Sequence, residues 1–167
     1  MDKNPNITMK KFRKLSFLFS YFYIAMSLPE DEIKEIVNRE TTAWNTLDAE
    51  LLMSIFHQDM VWPWPPDNSS HDPMNWILEL GRFNYKRWKQ SFQKLFDSHK
   101  LIHNRREIKK IEISKEEDGA FAVVDIDTLW IQNTTNKKDQ WKGRVCKVYT
   151  KVENEWKLIM HTGVLSY

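Results

Sequence analysis

The stretches AFAVVDIDTLWI (residues 120–131) and QWKGRVCKVYTKV (residues 140–152) decide the fold. In both, apolar and polar side chains alternate with a period of two, which is typical of a half-buried β-strand. The runs at residues 101–113 and 155–165 alternate in the same way. Because the segments between these runs are short and polar, we expect neighbouring strands to pair antiparallel.

The residues before these strands have helical periodicity instead. Apolar side chains recur at helical spacing over residues 29–47. Shorter helical patterns follow Asp48, Asp72-Pro73 and Asn84, which are typical helix-capping residues. We place His57 and Asp59 at the end of the second helix. Helices followed by a meander of long strands predict an α+β fold, in which a curved antiparallel sheet wraps around N-terminal helices.

Composition narrows the class of protein. The chain has 167 residues, of which 41% are hydrophobic, with eight Trp and nine Phe, so one domain with a substantial core is expected. The single Cys146 allows neither an internal disulfide nor a thiolate zinc site. Without residues 1–28 the chain carries 20 basic and 22 acidic side chains, a net charge of −2. A domain with this net charge lacks the excess of positive charge that attracts the phosphate backbone of nucleic acid.

The N-terminal 28 residues have two interpretations. Within residues 9–27, basic residues come first and are followed by an apolar run and then by small residues, which is the pattern of an export signal. Alternatively, Ser27 and Glu30 form a helix capping box and Met26 is the initiator of a cytoplasmic protein. We prefer the second interpretation, because cleavage after Ser27 would remove the cap. The apolar run is too short to span a membrane. In both cases residues 1–28 lie outside a single domain of residues 29–167.

A Trp-Pro segment, FHQDMVWPWPP at residues 56–66, follows the second helix. Its prolines can neither continue a helix nor donate to a sheet ladder, so we expect a rigid excursion. Trp62 and Trp64 on such an excursion suit the rim or lid of a ligand cavity. Beyond it, Asp72 is explained as a helix cap, which leaves His71 as a candidate for proton transfer.

The spacing of two carboxylates, Asp125 and Asp127, suggests a role in acid–base catalysis. They stand two apart on one predicted strand, so both project from the same face. If that face lines a cavity, repulsion and low dielectric would raise the pKa of one of them. The alternative is a solvated face where they pair with a neighbour such as Lys147, which is the commoner situation for strand carboxylates.

The predicted strands also carry several side chains that can donate hydrogen bonds. Arg105-Arg106 puts one guanidinium on each face of its strand, and the inward one could bind a carboxylate. Arg144 and Tyr149 are further donors, whereas Trp44 lies on a helical apolar stripe typical of a core. The four glycines form no phosphate loop, and His99 and His103 lack the glutamate of a zinc-protease motif. We therefore expect no cofactor and no metal.

Three stretches carry a resemblance to a known family: Phe56–Asp59, Gly119–Val124 and Glu155–Thr162. Together with the order of helices and strands, they resemble the nuclear-transport-factor-two-like superfamily, in its SnoaL-like branch, over residues 29–165. The resemblance implies a cone-shaped, cystatin-like α+β barrel, a deep cavity between the concave face of the sheet and the helices, and frequently a homodimer. Relatives include ketosteroid-isomerase-like enzymes, polyketide cyclases, epoxide hydrolases and members that only bind or assemble.

One departure from the family pattern concerns histidines. Several relatives place pocket-facing histidines four and six residues after the tryptophan that corresponds to Trp156, where this chain has Met160 and Thr162. His161 lies between them on the opposite strand face, unless a bulge shifts the register.

These observations predict a pocket protein for a small hydrophobic molecule. The first hypothesis is a cofactor-free isomerase, cyclase or hydratase that works by acid–base catalysis. The alternatives are a non-catalytic ligand-binding or dimerisation domain, and a protein interface formed by exposed tryptophans of the Trp-Pro segment. A homodimer is expected, and neither nucleic acid nor a membrane is an expected partner. The candidate catalytic residues are Asp127, Asp125, His71 and His161, and the candidate ligand-binding residues are Trp44, Trp62, Trp64, Arg105, Arg144 and Tyr149.

Overall fold

The computed structural model describes residues 28–66 and 72–165. The helices precede a meander of long strands, as predicted, so the α+β fold is confirmed. The interpretations of residues 1–27, including the export signal and the Ser27 cap, lie outside the described residues, as does His71. The elements are α1 (Pro29–Thr46), α2 (Ala49–Ile55), β1 (Phe56–Val61), a single 3-10 turn (Pro73–Asn75), α3 (Tyr85–Ser98), β2 (His99–Ile113), β3 (Gly119–Gln132), β4 (Lys138–Val152) and β5 (Glu155–His161).

Side-chain caps begin two of the helices where the sequence predicts them. The Asp48 carboxylate accepts a hydrogen bond of 2.9 Å from the Leu51 backbone N–H, and the Asn84 side chain accepts one of 3.0 Å from the Arg87 N–H. Each cap satisfies a donor that the first turn leaves unpaired. Asp72 also caps, but it begins only the 3-10 turn, which ends at Asn75, before the predicted end near residue 80.

The five strands form one mixed sheet in the order β1-β5-β4-β3-β2. Strands β2 to β5 are an antiparallel meander, as predicted. Strand β1 was missed: it pairs parallel with β5. Placing His57 and Asp59 at the end of a helix was therefore wrong, because α2 ends at Ile55 and both residues lie on β1. A short apolar run does not by itself distinguish the last turn of a helix from a strand.

Strand β3 shows how the sheet separates two environments. Its even-numbered side chains from Ala120 to Trp130 are buried, whereas Asp125 and Asp127, on the other face, are only partly buried. The buried face packs with α1, α2 and α3 into an aromatic core. Trp44 of α1 lies at the centre of this core, with edge-to-face contacts to the rings of Trp62, Phe92, Phe96, Trp130 and Trp141.

A bulge between β4 and β5 changes which side chains point inward. The register shifts between Val148, which pairs with Met160, and Tyr149, which pairs with Leu158. Before the bulge Leu158 is buried; after it Met160 is exposed and His161 is only 3% exposed. An extra residue reverses the faces of the side chains that follow it. The bulge alternative is therefore the one observed, and it turns His161 into the interior.

In the part of the chain that the structure describes, no helix combines the length and the hydropathy needed to cross a membrane.

Candidate functional site

A cavity of about 600 Å³ lies between the buried face of the sheet and the helices. Its volume falls in the range of small-molecule sites, and such sites are typically apolar with a few placed polar groups. Two polar side chains from the interior, Arg106 and His161, contribute to the lining. The apolar part of the wall comes from Trp44, Trp62, Trp64, Phe92, Leu95, Trp141 and Val164.

The two tryptophans of the Trp-Pro segment face this cavity. Trp62 is 5% exposed, and its ring stacks on that of Trp64 at a centroid distance of 5.0 Å and an interplanar angle of 9°. The backbone of Trp64 exchanges two hydrogen bonds of 2.8 Å with Ile77, which holds the segment in place. The segment therefore forms a wall of the cavity, and the hypothesis of an outward-facing aromatic interface does not fit these side chains.

A buried charge cluster, formed by Glu40, Arg106, Lys147 and His161, borders the cavity. The Lys147 ammonium donates to the Glu40 carboxylate, and the Arg106 guanidinium lies 3.2 Å from its other oxygen. The Trp44 indole N–H also donates to that oxygen, at 3.3 Å. All four cluster side chains are at most 4% exposed.

Each member of the cluster reaches the interior from a regular element. Glu40 stands on the buried face of α1, among residues that are otherwise apolar. Arg106 projects inward from β2 and also donates to the Asn104 side-chain oxygen at 3.2 Å, which the Thr128 hydroxyl contacts at 2.8 Å. Lys147 projects inward from β4. The helix and the sheet thus bring together charges that are far apart in sequence.

Electrostatics keeps Glu40 and Lys147 ionised at neutral pH. Burial would raise the pKa of Glu40, but the nearby charges of Lys147 and Arg106 outweigh burial and lower it to about 2. Burial lowers the pKa of Lys147 to about 8, and the attraction of Glu40 limits the fall. With Arg106 charged as well, the cluster holds one negative and two positive charges.

His161 is neutral and oriented by its own backbone. Its Nδ1–H donates to the Thr162 carbonyl at 2.6 Å, which leaves the lone pair on Nε2, 3.9 Å from a Glu40 oxygen. Its ring stacks on Trp62 at a centroid distance of 4.3 Å. Burial and the positive charge of Lys147 lower the pKa of His161 to about 3. A neutral imidazole can accept a hydrogen bond or a proton at Nε2.

This neutral histidine predicts a pH-dependent stability. Between pH 6.5 and 3 the unfolded chain protonates His161 while the folded chain does not, so the free energy of unfolding falls as pH falls through this window. The slope for one proton is about 1.4 kcal/mol per pH unit. We expect urea unfolding at pH 5.0 to 6.5 to show a flatter pH dependence for His161→Asn, which keeps a donor for the Thr162 carbonyl. Parallel curves for the two proteins would contradict this assignment.

Tyr149 lies close to the cluster but does not line the cavity. It is 1% exposed, and its hydroxyl has no hydrogen-bond partner among the described residues. Burial and the negative charge of Glu40 raise its pKa well above the ordinary value, so it stays protonated. Its predicted role as a donor to a ligand stays a prediction.

Asp125 and Asp127 lie on the opposite face of the sheet, which corrects the hypothesis that they line the cavity. The Arg144 guanidinium contacts Asp125 at 2.7 and 3.1 Å, and Asp127 accepts hydrogen bonds of 2.9 Å from His103 and Gln140. These partners lower the pKa of both carboxyls, whereas the catalytic hypothesis required the pKa of one carboxyl to be raised. The two aspartates match the alternative of a solvated face, although Lys147 is not their partner.

Arg105 and Arg144 accompany the aspartates on that face. Together they border an open groove of about 580 Å³, which has charged walls and no aromatic ones. Because this groove is more open to solvent than the tryptophan-walled cavity and has no aromatic wall, it is a poorer candidate for a small-molecule site. Of the six predicted ligand-binding residues, the structure brings Trp44, Trp62 and Trp64 together at the cavity.

Sequence reasoning missed Glu40 and Lys147 as site residues. The available signal was a glutamate on the apolar stripe of α1, at a position where burial demands a partner. Its two cationic partners lie on distant strands and could not be identified from spacing. Within residues 28–66 and 72–165, no group of three His, Cys, Asp or Glu side chains is placed to hold a metal ion.

Comparisons with known proteins agree on the fold. No protein-family model matches the sequence, and no curated protein matches it. Solved structures do match. A ketosteroid isomerase-like protein from Erwinia carotovora atroseptica is 14% identical, with a TM-score of 0.62 over 82% of this chain and 96% of that one.

Two further structures give the same result. A candidate scytalone dehydratase from Novosphingobium aromaticivorans is 12% identical, with a TM-score of 0.58 over 80% of each chain. A nuclear transport factor 2-like superfamily protein from Salmonella enterica is 14% identical, with a TM-score of 0.59 over 83% of this chain and 92% of that one. At such identities the likeness establishes the fold and leaves the activity to the site. The chain therefore has the fold of the nuclear transport factor 2-like superfamily.

Proposed function

We propose that this protein binds a small, largely apolar molecule in the tryptophan-walled cavity and acts on it as an isomerase, cyclase or hydratase without a cofactor. The observation that carries this proposal is the position of His161, a buried neutral imidazole on the lining of the tryptophan-walled cavity, which a guanidinium also lines. A base and a donor in one site are the minimum that enolisation or water addition requires.

In this proposal His161 is the proton acceptor. Its Nδ1–H is held by the Thr162 carbonyl, so Nε2 is the nitrogen with a lone pair. The low pKa of the imidazolium keeps this lone pair unprotonated throughout the physiological range, but it also makes the imidazole a weak base. Glu40, 3.9 Å from Nε2, would stabilise the imidazolium that forms when a proton is taken up.

Arg106 is the donor that would stabilise negative charge on the substrate oxygen. It lines the cavity, and its contacts with Glu40 and Asn104 fix its position before a substrate arrives. A prearranged donor of this kind stabilises an oxyanion without reorganisation during the reaction. The site architecture is also compatible with relatives named for isomerase and dehydratase chemistry.

The proposal is tested by proton exchange, which requires no knowledge of the natural substrate. We expect the protein to accelerate exchange of the α-protons of cyclic aryl ketones such as 1-indanone in deuterated buffer, followed by proton NMR. His161→Asn removes the proton-accepting nitrogen, so the enzymatic rate should fall at least tenfold. His103→Asn, a histidine on the other face of the sheet, should keep the wild-type rate.

The second candidate function is binding without catalysis. It is favoured by the low pKa values of the two possible bases in the cluster, about 2 for Glu40 and about 3 for His161, because groups that bind a proton so weakly are poor general bases. Binding of the ketones without exchange by the wild-type protein would support this second function and contradict the first. The expected homodimer and the SnoaL-like branch stay predictions.

A further inference from the structure

The buried charge cluster has an excess of positive charge. Lys147 and Arg106 share one carboxylate, that of Glu40, and His161 and Tyr149 add none. Among the described residues, no second carboxylate lies within ion-pair distance of either cation. A buried charge without a counterion costs several kcal/mol. The Trp44 ring, 5.7 Å from the guanidinium carbon, compensates only in part.

One of the two cations lines the cavity, and the same residue also borders the open groove. This residue is Arg106, whose side chain is only 4% exposed. The charged residues at the rim offset one another, since Glu79 and Asp139 are matched by Lys94 and Lys142. The net charge that a ligand would meet in the cavity therefore comes from the buried charge cluster, and it is positive.

Aromatic surface surrounds this positive charge. Trp44, Trp62, Trp64 and Trp141 line the same cavity, so a bound ring would be desolvated against indole faces while its polar end reaches the guanidinium. A planar guanidinium pairs with a carboxylate through two parallel hydrogen bonds, and the pairing is stronger away from water. A neutral ligand would fill the space but leave the positive charge unbalanced.

We propose that the ligand of this cavity is a small aromatic carboxylate, bound with its carboxylate on Arg106 and its ring among the tryptophans. This inference rests on the proposed function in using the same cavity and the same guanidinium, which a carboxylate would occupy in place of an oxyanion, but it requires no turnover.

The test compares two probes of nearly equal shape, 2-naphthoate and the neutral 2-naphthamide, by calorimetry and by quenching of tryptophan fluorescence. We expect the wild-type protein to bind the carboxylate at least tenfold more tightly. Arg106→Gln should abolish this preference, and it leaves Glu40 and Lys147 as a neutral pair. Arg105→Gln removes the same charge from the adjacent residue, which lies on the other face, so it should keep the preference.

Each outcome decides a separate point. Equal binding of the two probes, or tighter binding of the amide, would overturn the anion assignment while the pocket proposal stands. A preference that survives in folded Arg106→Gln would overturn the role of Arg106. If this variant does not fold, the comparison of the probes on the wild-type protein still decides the class of ligand. Failure of both probes to bind would overturn the ligand proposal and the use of the cavity together.

Discussion

Glu40→Ala is expected to lower the free energy of unfolding by about 3–5 kcal/mol, the usual cost of breaking a buried ion pair by removing one partner. The carboxylate is 1% exposed and is the shared counterion of Lys147 and Arg106. Without it two cations face each other in the interior. Urea unfolding at pH 7 measures the effect.

A control on the same helix separates this effect from helix propensity. Among the described residues, Glu30 pairs only with solvent-exposed Lys34, at 2.9 Å, so Glu30→Ala should unfold at nearly the wild-type urea concentration. The Glu40 variant should also regain stability as the pH rises toward 8, because its Lys147 then folds uncharged at less cost. Equal effects of the two substitutions would show that Glu40 does not stabilise the buried charges of Lys147 and Arg106.

Trp44→Ala is expected to cost about 3–5 kcal/mol, the range for removing a large aromatic side chain from a core. Trp44 is 1% exposed, and its ring contacts five other aromatic rings at centroid distances of 5.6 to 6.3 Å. Its loss would join a new void to the tryptophan-walled cavity. Thermal and urea unfolding measure the change in stability.

Two further variants help to explain the stability change of Trp44→Ala. Phe121→Ala removes an aromatic ring from the outer face of β3, where it is 36% exposed, and should cost clearly less. Trp44→Phe keeps an aromatic ring but loses part of the buried volume and the indole N–H that donates to Glu40 at 3.3 Å, so its loss of stability is an upper limit for the contribution of that hydrogen bond. A Trp44→Ala protein as stable as the Phe121 variant would mean that the cavity wall does not support the core.

The sequence predicted the elements that depend on neighbouring residues. The caps at Asp48 and Asn84 and the four long strands were confirmed within a few residues, because capping and side-chain alternation are local properties. Strand β1 was missed because its partner, β5, lies about a hundred residues further along the chain. Without that partner, its six residues resemble the end of a helix.

The candidate site was predicted only in part, for a related reason. Trp62 and Trp64 were recognised because prolines restrict their backbone locally, whereas the sequence left open which side of the sheet Asp125 and Asp127 occupy. Spacing shows that two side chains share a face but does not show which face meets the helices. That choice depends on how the whole sheet packs.

By itself the sequence determined the α+β class, the order of the helices and the four long strands, and the aromatic Trp-Pro segment, since each follows from short-range periodicity and composition. The tertiary structure alone decided which polar side chains meet in the interior. It joined Glu40 to Lys147, 107 residues away, and the bulge before His161 turned that imidazole inward. Both outcomes depend on which surfaces pack against one another, and the free energy of that packing is a property of the folded chain rather than of any local segment.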